Sequence, residues 1–180
     1  MNRKTHRTLG LFPVVLVLCT LAFPGTAWAK IDGVTGTFFP MTARAGYISL
    51  ADGNALYCWG YSVGASLQYP GPTLIVNQGD TVTITLTNML PASAGNMSIV
   101  FPGQSVTALG GVTGGLTQEA PPDGLTAVSY SFVAGNPGTY LYHSGTEPDL
   151  QVEMGLRGVL IVRPAGFDPL HPQAYNHAAT

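Results

Sequence analysis

The sequence predicts an all-β domain, folded as a Greek-key sandwich or barrel of seven or eight short strands. Several short runs alternate strand-favouring and polar residues, as half-buried strands do. Gly, Pro, Asn and Asp separate these runs at short intervals, which indicates tight turns between strands. The sequence has no stretch with apolar residues at helical spacing, so helix is expected to be minor. An immunoglobulin-like sandwich fits the same pattern, because periodicity alone does not separate the two.

The first two strands are predicted at residues 47–50 and 55–61. Both runs are rich in residues that favour strands, and Asp52-Gly53 lies between them. Asp-Gly between such runs is a strong signal for a tight hairpin, because the turn needs a positive φ that Gly adopts freely. The two strands are therefore expected to pair.

The next strand, predicted at residues 73–76, follows a turn rich in Pro and Gly. Residues 81–87 then alternate strictly, with Val82, Ile84 and Leu86 on one side and threonines on the other. Because successive side chains of a strand point to opposite faces, one face is expected to be buried and the other exposed.

The second half of the chain contains four further predicted strands and a long loop. A strand is predicted at residues 97–101, and the Gly-rich stretch 104–124 is predicted to be a loop with room for one short strand. Residues 128–133 and 139–143 are predicted to be strands, and the Gly- and Pro-containing turn between them indicates a hairpin-like unit. The last strand is predicted at residues 158–163.

Residues 1–29 are predicted to be a secretory signal peptide. They contain a cationic start, an apolar run at residues 9–23 that is too short for a stable bilayer span, and an A-x-A cleavage site at residues 27–29. The mature chain is expected to begin at Lys30 and to be secreted, into the periplasm or the extracellular space. We expect no membrane span after cleavage.

The composition of the mature chain restricts its partners. It would keep 151 residues, which suits one domain, with four basic residues against nine acidic ones and a net charge of −5. Nucleic acid is not an expected partner, because phosphate binding needs clustered Lys and Arg. Cys58 would be the single cysteine, so no internal disulfide can form, and a buried, inert thiol is the expected state.

Two groups of residues carry a resemblance to a known family. Residues 69–73 (YPGPT) and 78–82 (QGDTV) closely resemble the opening of the first domain of multicopper oxidases. Residues 137–144 (PGTYLYHS), Gln151 and residues 154–162 (MGLRGVLIV) resemble the closing motif of the same domain. The segments occur in the expected order.

This resemblance covers roughly residues 47–164 and implies a plastocyanin-like domain. The implied fold is a cupredoxin-like Greek-key β-sandwich over residues 30–164, followed by a linker-like tail at residues 165–180. In multicopper oxidases, the first domain helps to build a three-copper cluster that reduces oxygen to water with electrons from a type 1 copper. That copper usually lies in a later domain. The resemblance thus implies copper as cofactor, and further cupredoxin domains or a second protomer as partners.

Most of the copper-binding histidines of such a domain are replaced in this chain. The family pattern has two pairs, His-Trp-His-Gly and His-Ser-His, and residues at i and i+2 of a strand point to the same side. Aligned on Gly103, the first pair falls on Val100 and Pro102. The second pair keeps His143 but has Gly145 in place of its partner. One imidazole of four remains, too few to assemble a cluster.

His143 is therefore the one candidate copper ligand. The alternative interpretation is an inherited strand residue whose ring makes ordinary hydrogen bonds. His171 and His177 lie in the tail and are expected to be exposed. Gln151 matches the family's glutamine and is expected to fix the loop that leads to Gly155.

Other side chains near the closing motif have simpler interpretations than a catalytic one. Glu147, Asp149 and Glu153 are expected to form a solvated acidic rim, because nothing places two of them at catalytic separation. Met154 lacks a cysteine and two histidines beside it, so we expect it to lie in the core. No catalytic residue is assigned, and the chain alone is not expected to be an active oxidase.

Three functions from different classes remain open. The first is a degenerate, structural first domain of a multicopper oxidase-like protein, encoded as a truncated or split copy of a longer oxidase. The second is a small secreted copper-binding or electron-transfer protein that uses His143 with a tail histidine or a second protomer. The third is a secreted binding or assembly module that uses the sandwich as a scaffold.

Overall fold

The computed structural model describes residues 33–168, so the predicted signal peptide and the tail histidines lie outside the described residues. Eight of its strands have four or more residues and three have two, which agrees with the predicted number of main strands. The remaining regular elements of the described residues are a 3₁₀ turn at Ala92–Ala94 and a short helix α1 at Pro148–Gln151. The strands are β1 (Val34–Thr35), β2 (Phe38–Ser49), β3 (Ala55–Val63), β4 (Leu74–Asn77), β5 (Thr81–Asn88), β6 (Thr107–Gly110), β7 (Val112–Thr113), β8 (Gln118–Glu119), β9 (Ala127–Val133), β10 (Gly138–His143) and β11 (Arg157–Arg163).

Two mixed sheets form the sandwich. One has the strand order β1-β4-β11-β10, the other has the order β3-β2-β5-β9-β6, and β7 pairs with β8 in a small separate ladder. Strand β4 runs parallel to β11, and β2 runs parallel to β5. Strands β4 and β5 follow each other in the chain but belong to different sheets, so the chain crosses between sheets in the manner of a Greek key.

Both sheets bury their inner faces in one hydrophobic core. Val82, Ile84 and Leu86 of β5 are fully buried, which confirms the face predicted from the alternation. The rings of Tyr61 and Tyr142 come from opposite sheets, and their centroids are 5.6 Å apart. Full burial of a valine, isoleucine or leucine side chain, such as those of β5, stabilises the fold by roughly 2 kcal/mol before the entropy cost is counted.

The predicted hairpin at Asp52-Gly53 is confirmed, although its first strand is longer than the sequence indicated. Strands β2 and β3 pair antiparallel from Met41–Val63 to Ser49–Ala55. Strand β2 begins at Phe38 because it also pairs with β5, so its first half lies in the middle of the sheet and buries alternate apolar residues.

The strand predicted at residues 97–101 is wrong. Met97 and Val100 form isolated bridges to two different segments, at Ala120 and His143. The backbone N–H of Ile99 donates instead to the hydroxyl of Tyr130, at 3.2 Å. The apolar run is largely buried. Its backbone groups form hydrogen bonds with two isolated bridge partners and one side chain, so no continuous ladder forms.

Two further predictions from the second half of the chain need correction. The stretch 104–124 contains three short strands, β6, β7 and β8, rather than one at most. Strands β9 and β10 do not form a hairpin: β9 pairs with β5 and β6 on its two edges, whereas β10 pairs with β11 in the other sheet. Because both edges of β9 are taken, the turn between the strands carries the chain across the sandwich.

Candidate functional site

The positions that the resemblance assigns to copper ligands lie together at the end of β10. The backbone N–H of Val100 donates to the carbonyl of His143 at 2.9 Å, and the reverse bond measures 3.2 Å. A Cβ placed on Gly145 would lie 2.7 Å from Cγ1 of Val100. The structure therefore brings Val100, His143 and Gly145 side by side, as the aligned ligand pairs require.

His143 is the one imidazole at this place, and its ring has a defined orientation. It is half-buried, and Nδ1 lies 2.9 Å from the carbonyl oxygen of Ser144. A carbonyl oxygen only accepts hydrogen bonds, so Nδ1 carries the proton in the neutral ring and the lone pair is on Nε2.

Gln151 and Ser144 fix the loop beneath this position. The side chain of Gln151 is fully buried. Its Nε2 donates to the carbonyls of Ala94, at 3.2 Å, and Asn96, at 2.9 Å, while Oε1 accepts from the hydroxyl of Ser144 at 2.6 Å. The expected role of Gln151 as a polar residue that fixes the closing loop is confirmed.

A second polar network lies beside Gly145, and the sequence analysis missed it. The hydroxyl of Thr146 donates to Oε1 of Glu119 at 2.8 Å and lies 3.0 Å from the hydroxyl of Ser98. Oε2 of Glu119 accepts from the side-chain amide of Asn96 at 3.3 Å. These residues are far apart in sequence, and no spacing rule connects them.

An open groove with a volume of about 290 Å³ runs along Val100 and Pro102, the residues aligned with the first ligand pair of the family. It is lined mainly by apolar residues, including Val100, Pro102 and Leu116, and Leu116 is 74% exposed at its rim. The side-chain nitrogen of Gln104 is buried at the same groove without a hydrogen-bond partner. Val100 and Pro102, where the resemblance expects imidazoles, therefore present aliphatic side chains beside the polar groups of the groove.

The sequence model of the multicopper oxidase family matches residues 47–166. The chain belongs to the multicopper oxidase family. This membership settles the fold class as the cupredoxin-like sandwich rather than the immunoglobulin-like alternative, since the solved relatives share this architecture.

The relatives that this chain resembles include oxidases of greater length. The iron transport multicopper oxidase fetC of Epichloe festucae is 38% identical over 109 residues, covering 58% of this chain and 16% of that protein. The L-ascorbate oxidase of Cucurbita pepo var. melopepo is 38% identical over 104 residues, 57% of this chain and 18% of the enzyme. The crystal structure of a multi-copper oxidase from Pseudomonas Thermotolerans matches with a TM-score of 0.59 and 25% identity, covering 76% of this chain and 32% of that chain. This chain thus spans less than a fifth of these curated relatives' length.

Copper is the cofactor that membership of the multicopper oxidase family implies. Copper sites need several converging imidazole, thiolate or thioether ligands. Val100 and Pro102 have aliphatic side chains, and Gly145 has none. Within residues 33–168, no three His, Cys, Asp or Glu side chains are grouped so that they could hold a metal ion. The residues present do not fit a copper cluster, and copper binding by His143 stays a prediction.

The remaining candidates from the sequence lie where their simpler interpretations placed them. Glu147, Asp149 and Glu153 are exposed, in agreement with a solvated acidic rim. Met154 is partly buried and packs against the hydrophobic core, as expected. Cys58 is buried on β3. The helices of the described part of the chain are all too short or too polar to cross a membrane.

The buried tyrosines near the candidate site act as structural donors. Burial raises the pKa of both Tyr61 and Tyr142, and the neighbouring tyrosines add to the rise for Tyr61. Both hydroxyls therefore stay protonated and donate to backbone carbonyls, Tyr61 to Ser98 at 3.0 Å and Tyr142 to Pro72 at 2.6 Å. The bond from Tyr61 ties the segment that carries Val100 to β3, and the bond from Tyr142 ties β10 to the turn before β4.

Cys58 is expected to be unreactive in the folded protein. Burial raises the pKa of its thiol and hides the sulfur from reagents. Because folding favours the neutral thiol, its contribution to stability is complete below the thiol's ordinary pKa and is lost as the pH rises above it. We expect labelling by a thiol reagent at pH 8 to be at least about a hundredfold slower in buffer than in denaturant. Comparison with Cys58→Ala isolates this signal, and equal rates in buffer and denaturant would contradict the burial.

Proposed function

We propose that this chain serves as a structural first domain of a multicopper oxidase-like protein, packs against further cupredoxin domains, and holds no copper cluster by itself. The observation that carries the proposal is the donor set at the former ligand positions. Val100, Pro102 and Gly145 offer no nitrogen, oxygen or sulfur from a side chain. A cluster needs converging donors, and backbone groups already pair Val100 with His143.

The completeness of the sandwich supports a structural role. The two sheets share one core. Buried hydrogen bonds join Gln151 of the closing loop to Ala94, Tyr61 to Ser98 and Tyr142 to Pro72. The chemistry of the site has been lost without loss of the scaffold. A domain that only positions its neighbours needs this scaffold and does not need the ligands.

The length of the relatives and the surface of the chain support packing against further domains. The fetC oxidase and the L-ascorbate oxidase are each about six times as long as the matched segment, because the match covers 16% and 18% of them. Leu116 lines the groove and is 74% exposed, and Leu109 on β6 is 68% exposed. Such side chains mark a surface that another domain covers when they form one contiguous apolar patch, and we assign that role to the groove.

Native mass spectrometry of the protein purified from its own host tests the proposal, because it measures bound copper and partner mass together. We expect the free chain to contain less than about a tenth of an equivalent of copper after incubation with Cu(II). We expect His143→Ala to leave this content unchanged, and a co-purifying partner to contain cupredoxin domains. Stoichiometric copper in the free chain, or a partner of another fold, would contradict the structural role.

The orientation of His143 favours one alternative, a small copper-binding or electron-transfer protein. Histidines that bind metals commonly donate one ring N–H to a carbonyl and present the other nitrogen to the metal. Nδ1 of His143 makes such a contact with Ser144. In the same experiment, copper at about one equivalent that is lost in His143→Ala would support this alternative.

A further inference from the structure

Gly145 is partly exposed, but side chains occupy the space that its Cβ would need. A Cβ at this residue would lie 2.7 Å from Cγ1 of Val100, 3.0 Å from Oγ of Ser98 and 3.6 Å from Cδ1 of Leu116. Real Cβ atoms essentially never approach another heavy atom to less than 3.0 Å, so any side chain would displace Val100. The φ of Gly145 lies outside the left-handed region, so only the lack of space disfavours a larger residue.

The atoms around Gly145 have little freedom to retreat. Two backbone hydrogen bonds join Val100 to His143 and hold the backbone of Val100 against β10. The side chain of a β-branched residue has few χ1 rotamers in which it could move away. The hydroxyl of Ser98 is 3.0 Å from that of Thr146, which in turn donates to Glu119 at 2.8 Å. A side chain at residue 145 would therefore press on an anchored valine on one side and on a hydrogen-bonded chain on the other.

We propose that the side chain of Val100 fills the space beside residue 145. A histidine ligand can therefore be introduced at residue 145 only if Val100 is also replaced by a smaller residue. The residues at two of the aligned ligand positions are thus sterically coupled: the valine occupies space that a side chain at residue 145 would need. The inference goes beyond the structural role proposed above and does not depend on it, because it concerns packing within one chain.

A double-mutant cycle on thermal unfolding tests the contact between the two residues. Gly145→Ala is expected to lower the unfolding midpoint by about 5 °C, because it overpacks the site. Val100→Ala removes two methyl groups from a half-buried position and is expected to lower it by about 3 °C. The unfolding midpoint of the double variant is expected to be lowered by about 3 °C, as in Val100→Ala alone, because the space needed by residue 145 is then free.

The matched control is Gly36→Ala, because a Cβ at Gly36 meets no atom within 4 Å and its φ is also outside the left-handed region. Its midpoint is expected to change by no more than about 2 °C. Additive shifts in the cycle, or a Gly145→Ala shift equal to that of the control, would overturn the proposal. Both outcomes are independent of whether the wild-type chain binds copper or a partner.

A second measurement uses Cu(II) itself as the probe. Gly145→His is expected to bind Cu(II) no more tightly than the wild type, because the imidazole has no room beside Val100. Combining it with Val100→Gly is expected to tighten binding by at least about tenfold, since two imidazoles can then converge. Equal Cu(II) affinity of the single and double variants in equilibrium dialysis would contradict the closure by Val100.

Discussion

Gly155→Ala is expected to destabilise the protein by about 4 kcal/mol or more, a large part of the stability of a domain of this size. Gly155 is buried with φ +121°, where L residues are strained. A Cβ there would lie 2.4 Å from the carbonyl oxygen of Trp59 and 2.5 Å from the ring of Tyr69. The loop would have to move away from β3 and lose the 2.8 Å bond from the Trp59 N–H to the carbonyl of Met154.

Urea unfolding followed by tryptophan fluorescence measures this effect, and Gly53→Ala is the matched control. Gly53 also has a positive φ, +85°, but a Cβ there meets no atom within 4 Å. Its substitution should therefore add only backbone strain, about 1 kcal/mol. Similar losses in the two variants would show that the close approach of the loop to β3 has no energetic consequence. A Gly155→Ala protein that fails to fold agrees with the prediction.

Gln151→Leu is expected to cost about 3 kcal/mol, although leucine preserves the volume of the side chain. The substitution leaves the carbonyls of Ala94, which is buried, and Asn96, which is partly buried, without their donor, and Ser144 loses its acceptor. A buried polar group that loses its partner costs about 1–3 kcal/mol, and the hydroxyl of Ser144 can turn towards the carbonyl of Thr146 at 3.1 Å. Two unsatisfied carbonyls therefore dominate the loss.

Gln78→Leu provides the control, because it removes the same chemistry from an exposed turn. Gln78 donates to the carbonyl of Gly135 at 3.0 Å and accepts from the N–H of Ala165 at 3.3 Å. Water can replace both bonds there, so a change below about 0.5 kcal/mol is expected. A loss for Gln151→Leu as small as that of Gln78→Leu, in the same urea titration, would refute the structural role of Gln151.

The parts of the fold that the sequence predicted correctly are those set by local chemistry. The alternation from Thr81 to Thr87 places Val82, Ile84 and Leu86 in the core without reference to any distant residue. The turn at Asp52-Gly53 likewise sets its own hairpin, since Gly53 adopts the positive φ that closes it.

The errors arose where partners distant in sequence decide the pairing. Residues 97–101 have the composition of a strand, but their backbone meets Ala120, Tyr130 and His143 one residue at a time. Strand β6 contains small and exposed residues with no clear alternation, and it forms because β9 offers a free edge. Turn chemistry between β9 and β10 does not reveal which sheet the second strand joins.

The loss of donor atoms at Val100, Pro102 and Gly145 was determined by the sequence alone, because a side chain's ligand chemistry does not depend on the fold. Only the tertiary structure decided what those residues do instead. Val100 pairs with His143 and lies against Gly145, while Glu119, Thr146 and Ser98 meet beside them from three separate segments. Chemical identity is local to a residue, whereas steric contact and hydrogen bonding require atoms that only chain folding brings together.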